Sequence, residues 1–140
     1  MIVFTKYRLK EGGSLKKIIV SIPNALLAGG VVMYLKKNPD FKVYREDNPS
    51  GIEDLCIASK ADVLLAEVRE RSPHTLDEWN IRVKAIKKNL PDCKVVYVVD
   101  ENSSPDLADQ VALARSNRLI DAFVYGTVSG EYVTALIGSL

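Results

Sequence analysis

Three carboxylates stand at the ends of apolar, strand-like blocks. Glu67 lies near the end of Ala61-Asp62-Val63-Leu64-Leu65-Ala66-Glu67-Val68-Arg69, and Asp100 and Glu101 follow Lys94-Val95-Val96-Tyr97-Val98-Val99. Acidic side chains so placed can ligate a hard divalent cation or take part directly in acyl or phosphoryl chemistry. An enzymatic or small ligand-binding module built on Glu67, Asp100 and Glu101 is therefore one reading. The single histidine, His74, sits in a Ser72-Pro73-His74-Thr75 loop. It is read first as a solvated loop residue, because no Ser/His/Asp arrangement can be assembled around one histidine. Cys56 and Cys93 lack CxxC spacing and have too few partners for a metal site, so they read as buried structural thiols of a reduced, cytoplasmic compartment. Neither GxGxxG nor GxxxxGK[ST] occurs. Ser21-Ile22-Pro23-Asn24 lacks the small polar run that cradles a phosphate, and Gly29-Gly30 falls too far along the next helix. No metal and no cofactor is expected.

The elements that must position these groups alternate. Strands are expected over Leu15 to Ser21, Phe41 to Tyr44, Asp62 to Val68, Lys94 to Val99 and Ala122 to Tyr125. Helices are expected from Pro23-Asn24 to about Lys37, from a Ser50 cap through Ser59, and over Thr75 to Asn89, Asp106 to Asn117 and Ser129 to Leu140. Thr75 and Glu78 have the spacing of a capping box, and Leu76, Trp79, Val83 and Ile86 recur at helical period. Phe41 to Tyr44 alternates like an edge strand, whereas Asp62 to Val68 is continuously apolar like a central one. Five strands joined by helices with short connections predict an α/β flavodoxin-like three-layer α/β/α sandwich, with a five-stranded parallel sheet of order 2-1-3-4-5. Ligands of such sheets bind beyond the carboxyl ends of the strands. That directs attention to Ser21-Ile22, Glu67, Val99-Asp100-Glu101 and Gly126-Thr127.

Composition sets the outer limits. The chain has 140 residues, 47% hydrophobic and 26% charged, with a net charge of +1, which suits one folded domain. The charges are interspersed, and Lys36-Lys37 and Lys87-Lys88 read as solvated helix ends. Nothing here has the basic clustering of a nucleic-acid binder. No apolar run is long enough to span a membrane, and Met1 to Gly13 is not a convincing signal peptide. Residues 1–14 read as an N-terminal extension and residues 15–140 as the domain.

The strand rhythm, with Ala61-Asp62-Val63-Leu64-Leu65, Asp121-Ala122-Phe123 and the Val128-Ser129 start of the last helix, resembles the receiver domain of two-component response regulators. That resemblance implies a pocket with an acidic pair after the first strand, an aspartate phosphoacceptor after the third, a Thr or Ser after the fourth and Lys-Pro after the fifth. Carried over, the acidic pair falls on Ser21 and Ile22, the phosphoacceptor on Glu67, the hydroxyl on Val99, the lysine on Gly126 and the proline on Thr127. Phe123 falls on an aromatic switch position. Every chemical position has changed. The resemblance thus implies a degenerate pseudo-receiver that catalyses nothing and signals by protein–protein contact, independently of phosphorylation. In this reading the permanent charge of Glu67 mimics an activated state; a plainer reading makes it a polar residue at a solvated sheet edge. A phosphorylatable atypical response regulator is the further alternative. Because the chain ends with its last helix, no DNA-binding output domain is expected.

The first helix is apolar on two sides. With Leu26, Gly29, Gly30 and Met33 toward the sheet, Leu27, Val31, Tyr34 and Leu35 would form a second stripe, a candidate interface for a signalling protein or a second copy. Ile2, Val3 and Phe4 of the extension could cover it instead.

Overall fold

A computed structural model describes residues 15–100 and 102–140 of the chain. Glu101 and the expected extension, residues 1–14, lie outside the described residues. In chain order the elements are β1 (Lys16–Ser21), α1 (Ala25–Lys36), β2 (Phe41–Arg45), α2 (Ile52–Ser59), β3 (Val63–Val68), α3 (Leu76–Asn89), β4 (Lys94–Val99), α4 (Pro105–Ser116), β5 (Ala122–Tyr125) and α5 (Gly130–Ser139). A single turn of 3-10 helix, Pro49–Gly51, precedes α2. All strand pairs are parallel and the sheet order is β2-β1-β3-β4-β5, as expected for the flavodoxin-like arrangement.

Continuous runs of β-branched residues make the central strands, because helices cover both faces and leave no face for polar residues. Every residue of β3 is buried. Side chains of successive strand residues point to opposite faces. Ile18, Val20, Leu65, Val96 and Val98 pack with Ala28, Val31 and Leu35 of α1 and Val133 and Ile137 of α5. Ile19, Leu64, Ala66, Tyr97 and Val99 pack with Ile52 and Cys56 of α2, Trp79, Val83 and Ile86 of α3, and Leu107, Val111 and Ala114 of α4.

Helix starts follow local chemistry. Asn24 Oδ1 accepts the Leu27 N–H at 3.1 Å to begin α1. Thr75 and Glu78 close a reciprocal capping box on α3, with Ser72 donating to Glu78 at 2.7 Å. Ser129 Oγ accepts from the Tyr132 N–H at 3.1 Å to begin α5. The expected Ser50 cap is corrected: Asn48 caps the 3-10 turn, and α2 follows it with Gly51 at its N-cap and no side-chain cap. Pro49 fixes φ at the start of that turn, which favours the tighter helix there.

The two stripes of α1 are the reverse of those expected. Val31 and Leu35 are buried in the core and Leu27 packs against it, whereas Leu26 is 89% and Met33 59% exposed. Tyr34 is half-buried and lies against Gly130, where a Cβ would collide with its ring. The physical reason is tertiary packing: the Leu27/Ala28, Val31, Leu35 series packs against the sheet and α5, and both series have the same period, so periodicity alone does not choose between them. The candidate interface of Leu27, Val31, Tyr34 and Leu35 is therefore internal packing.

Candidate functional site

The carboxyl ends of β1, β3, β4 and β5 converge on one edge of the sheet, and the sequence-selected residues occupy it. Ser21 and Ile22 are fully buried at the end of β1. Ile22 belongs to the apolar cluster beneath α1, and Ser21 Oγ is buried with no hydrogen-bond partner. Val99 closes β4, fully buried and pairing in register with Val68 and Tyr125. Gly126 donates its N–H to the Val99 carbonyl at 2.9 Å. A Cβ on Gly126 would meet Leu27 Cδ2 at 3.6 Å and Val98 Cγ1 at 4.0 Å. The space in which a side chain at this position would begin is thus bounded by the methyl groups of α1 and β4. Thr127 is exposed and lines a hollow of about 260 Å³ with Phe123, Tyr125 and Tyr132. Phe123 is half-buried against the α2–α3–α4 side of the core, edge-to-face with Tyr125 at 6.2 Å.

Glu67 is 5% exposed on the central strand, which corrects the reading of a polar residue at a solvated sheet edge. Its Oε2 lies 3.6 Å from Arg69 Nε, and its Oε1 is buried without a hydrogen-bond partner. Arg69 follows Glu67 by two residues, the spacing that puts two side chains on one side of an extended chain. That interval was legible in the sequence as a possible pair.

Arg69 leads into a cleft of about 550 Å³ between the segments after β3 and β4, lined also by Arg71, His74, Asp100 and Asn102. Asp100 Oδ1 accepts the Asn102 N–H at 2.8 Å, which folds the β4–α4 segment back on itself. The structure thus brings Asp100 and the Glu67–Arg69 pair to one end of the sheet, but Glu67 itself does not line the cleft. His74 is half-buried rather than solvated, and its Nε2 is buried without a partner. Burial, reinforced by the positive charges of Arg69 and Arg82, pushes its pKa below the ordinary histidine value of 6.5.

The thiols sit elsewhere in the core. Burial pushes Cys56 up to about 12, with Cys93 close enough to add to the shift, and burial pushes Cys93 up to about 11. Tyr97, equally buried, is also raised, and its hydroxyl donates to Asn80 Oδ1 at 2.9 Å.

The chemical capacity of the strand-end pocket follows from its donor set. A hard divalent cation needs several oxygen ligands at once. Among the described residues no three His, Cys, Asp or Glu side chains are grouped to hold a metal ion. Ser21, Ile22 and Val99 supply no carboxylate, and Gly126 supplies no positive charge. Among the described residues the donor set at the strand ends does not fit a magnesium-dependent phosphoryl site.

No protein-family model and no curated protein matches the chain. Solved structures do. The signal receiver domain of the response regulator NarL from Mycobacterium tuberculosis is 16% identical, with a TM-score of 0.70 over 90% of this chain and 95% of that one. HP1043, an orphan response regulator of H. pylori, is likewise 16% identical, with a TM-score of 0.70 over 91% of this chain and 96% of that one. A streptococcal redox sensor, from a family described as evolved from two-component response regulators, gives a TM-score of 0.72 at 15% identity. That match covers 89% of this chain and 50% of that one. The chain has the receiver-domain fold. At these identities the likeness is one of architecture. Among the described residues no helix is long and apolar enough to cross a membrane.

Proposed function

We propose that this chain is a degenerate receiver-like domain that acts in signal transduction through protein contact, without phosphotransfer. The observation that carries the reading is the pocket at the strand ends. Its residues Ser21, Ile22 and Val99 are buried and carry no charge, and Leu27 reaches the space beside Gly126. Phosphoryl transfer stabilises developing negative charge with metal and cationic groups placed in advance. Ile22, Val99 and Leu27 bring aliphatic side chains to that end of the sheet, and Ser21 brings a hydroxyl. Glu67 is then a fixed negative charge where a phosphorylated receiver would gain one. Its partners are proteins, a signalling component or a second copy, rather than nucleic acid or membrane. Two free, buried cysteines suit a reducing, cytoplasmic setting.

The test is thermal unfolding with and without magnesium plus beryllofluoride, a phosphoryl mimic that requires an acidic, metal-holding pocket. The expected result is an unchanged Tm and no incorporation of label from acetyl phosphate. A clear upward shift, or label lost in a Glu67→Gln variant, would overturn the reading.

A second reading, a small-ligand module on the same sheet, is favoured by the cleft lined by Arg69, His74 and Asp100. A Tm that rises with magnesium alone and falls back in Asp100→Asn would favour it.

A further inference from the structure

The cleft beyond β3 and β4 carries charges of both signs that do not meet. Its volume of about 550 Å³ suits a small molecule, and apart from Val68 and Pro73 its described lining is polar or charged. An apolar ligand finds little to pack on there. The segment after β3 supplies Arg69 and Arg71 with Glu70 between them, and the segment after β4 supplies Asp100. Glu70 also borders a hollow of about 230 Å³ beside α4. Among the described residues neither arginine pairs with Asp100 or Glu70, and the ion pair of Arg69 runs instead to Glu67. Asp100 is held by its own turn. Its Oδ1 accepts the Asn102 N–H at 2.8 Å and its carbonyl accepts the Ser103 N–H at 2.9 Å, which leaves Oδ2 for a further donor. His74 lines the cleft as well, with its Nε2 buried and unpartnered. Its lowered pKa keeps the ring neutral at pH 7, so it adds hydrogen-bonding capacity and no third positive charge.

We propose that this cleft binds a small zwitterion, the chemistry of a free amino acid, with its carboxylate on Arg69 and Arg71 and its ammonium group on Asp100. The proposal deepens the small-ligand reading above and rests on it. The choice of ligand class follows from the charges. A simple anion would gain two arginines but would also meet the carboxylates of Asp100 and Glu70, and like charges repel. A metal cation would meet the two arginines, and the described residues offer it no cluster of ligands. A molecule with both signs leaves each group on either side of the cleft with an opposite partner. Guanidinium groups take a carboxylate through two parallel hydrogen bonds, and an ammonium group has three N–H bonds to give to a carboxylate. The place is the one where an open α/β sheet binds its ligands, outside the carboxyl ends of the strands.

The test measures Tm of the full chain with each common L-amino acid in turn at about 10 mM. Two controls each carry half of alanine. Propionate has its carboxylate without the ammonium group, and ethylammonium has the reverse. The expected result is a rise in Tm with at least one amino acid, of about 4–7 °C at about ten times its Kd, and no rise with either control at equal ionic strength. Arg71→Gln and Asp100→Asn should each weaken that amino acid roughly ten-fold or more in calorimetric titration. Lys36→Gln, at the far end of α1, should leave its affinity unchanged. A Tm unmoved by every amino acid, an equal rise with propionate alone, or affinity that survives both cleft substitutions would overturn the proposal. In that event a Tm that still rises with magnesium alone and falls back in Asp100→Asn would keep the small-ligand reading without it.

Discussion

His74 shows how one residue ties the sheet end to solution conditions. Its carbonyl accepts the Arg69 N–H at 2.7 Å, and its own N–H donates to the Arg71 carbonyl at 3.0 Å, so the ring is held at the turn between β3 and α3. Burial and the nearby Arg69 and Arg82 lower its pKa below 6.5. Between the folded value and 6.5 the unfolded chain binds more protons than the folded one, so stability rises with pH across that window. His74 thus costs nothing above the window, and its penalty grows as pH falls through it. Measured as Tm between pH 7.5 and 5, the chain should lose stability on acidification, and His74→Gln should flatten that part of the profile. The thiols give a complementary prediction. With pKa values of about 12 and about 11, Cys56 and Cys93 hold very little thiolate at neutral pH, and thiolate is the reactive form. A disulfide reagent such as dithionitrobenzoate should leave both untouched in the folded chain and react with both in denaturant. At this scale the sequence was partly legible. Two lone cysteines without motif spacing read correctly as buried thiols. His74 read wrongly as solvated, because the arginines and the turn that enclose it come together only in three dimensions.

Among the elements, α1 separates what sequence periodicity can and cannot decide. Capping and turn chemistry placed most helix starts, and the continuous apolar run of β3 marked the central strand, because these signals are local. The choice between two equally apolar stripes of α1 is made by tertiary packing, so it was reversed. The same packing makes the consequence measurable. Leu35 is fully buried, and Leu35→Ala should cost about 2–5 kcal/mol as lost burial and a cavity. The α1–α5 contact has its own tight point. A methyl group on Gly130 would drive into the Tyr34 ring near its attachment, where the side chain has little freedom to yield. Gly130 opens α5, where alanine gains less helix propensity than in a helix interior, while overpacking costs about 1–3 kcal/mol, so the net change should be destabilising. Tyr34→Ala combined with it should restore the propensity gain, which a thermal-melt cycle on the two positions would read as a large positive coupling. Lys87 joins the elements differently from expectation. It is not a solvated helix end but pairs at 2.9 Å with Asp121, whose Oδ2 also accepts the Val95 N–H at 2.8 Å.

Across the described residues the core is almost entirely apolar, and Glu67 departs from it. Among them it is the one charged residue that is buried, with a long contact to Arg69 and an oxygen that finds no partner. A carboxyl oxygen buried without a partner works against the folded state, since it loses its hydrogen bonds to water and gains none in return. An apolar side chain of similar length would remove that cost, and Arg69, 46% exposed, would keep its charge in water. Glu67→Met should therefore raise stability, by about 1–3 kcal/mol if the site repacks cleanly, seen as a higher midpoint in urea with an unchanged slope. The direction separates two accounts of the residue. If Glu67 were structural, holding the β3–α3 segment through Arg69, its loss would lower the midpoint. A rise would mean that the chain keeps a carboxylate at the centre of its sheet against its own stability, the pattern expected where a charge serves contact with another molecule. Such a charge would sit at the carboxyl end of the central strand, which is where an α/β sheet presents its binding groups.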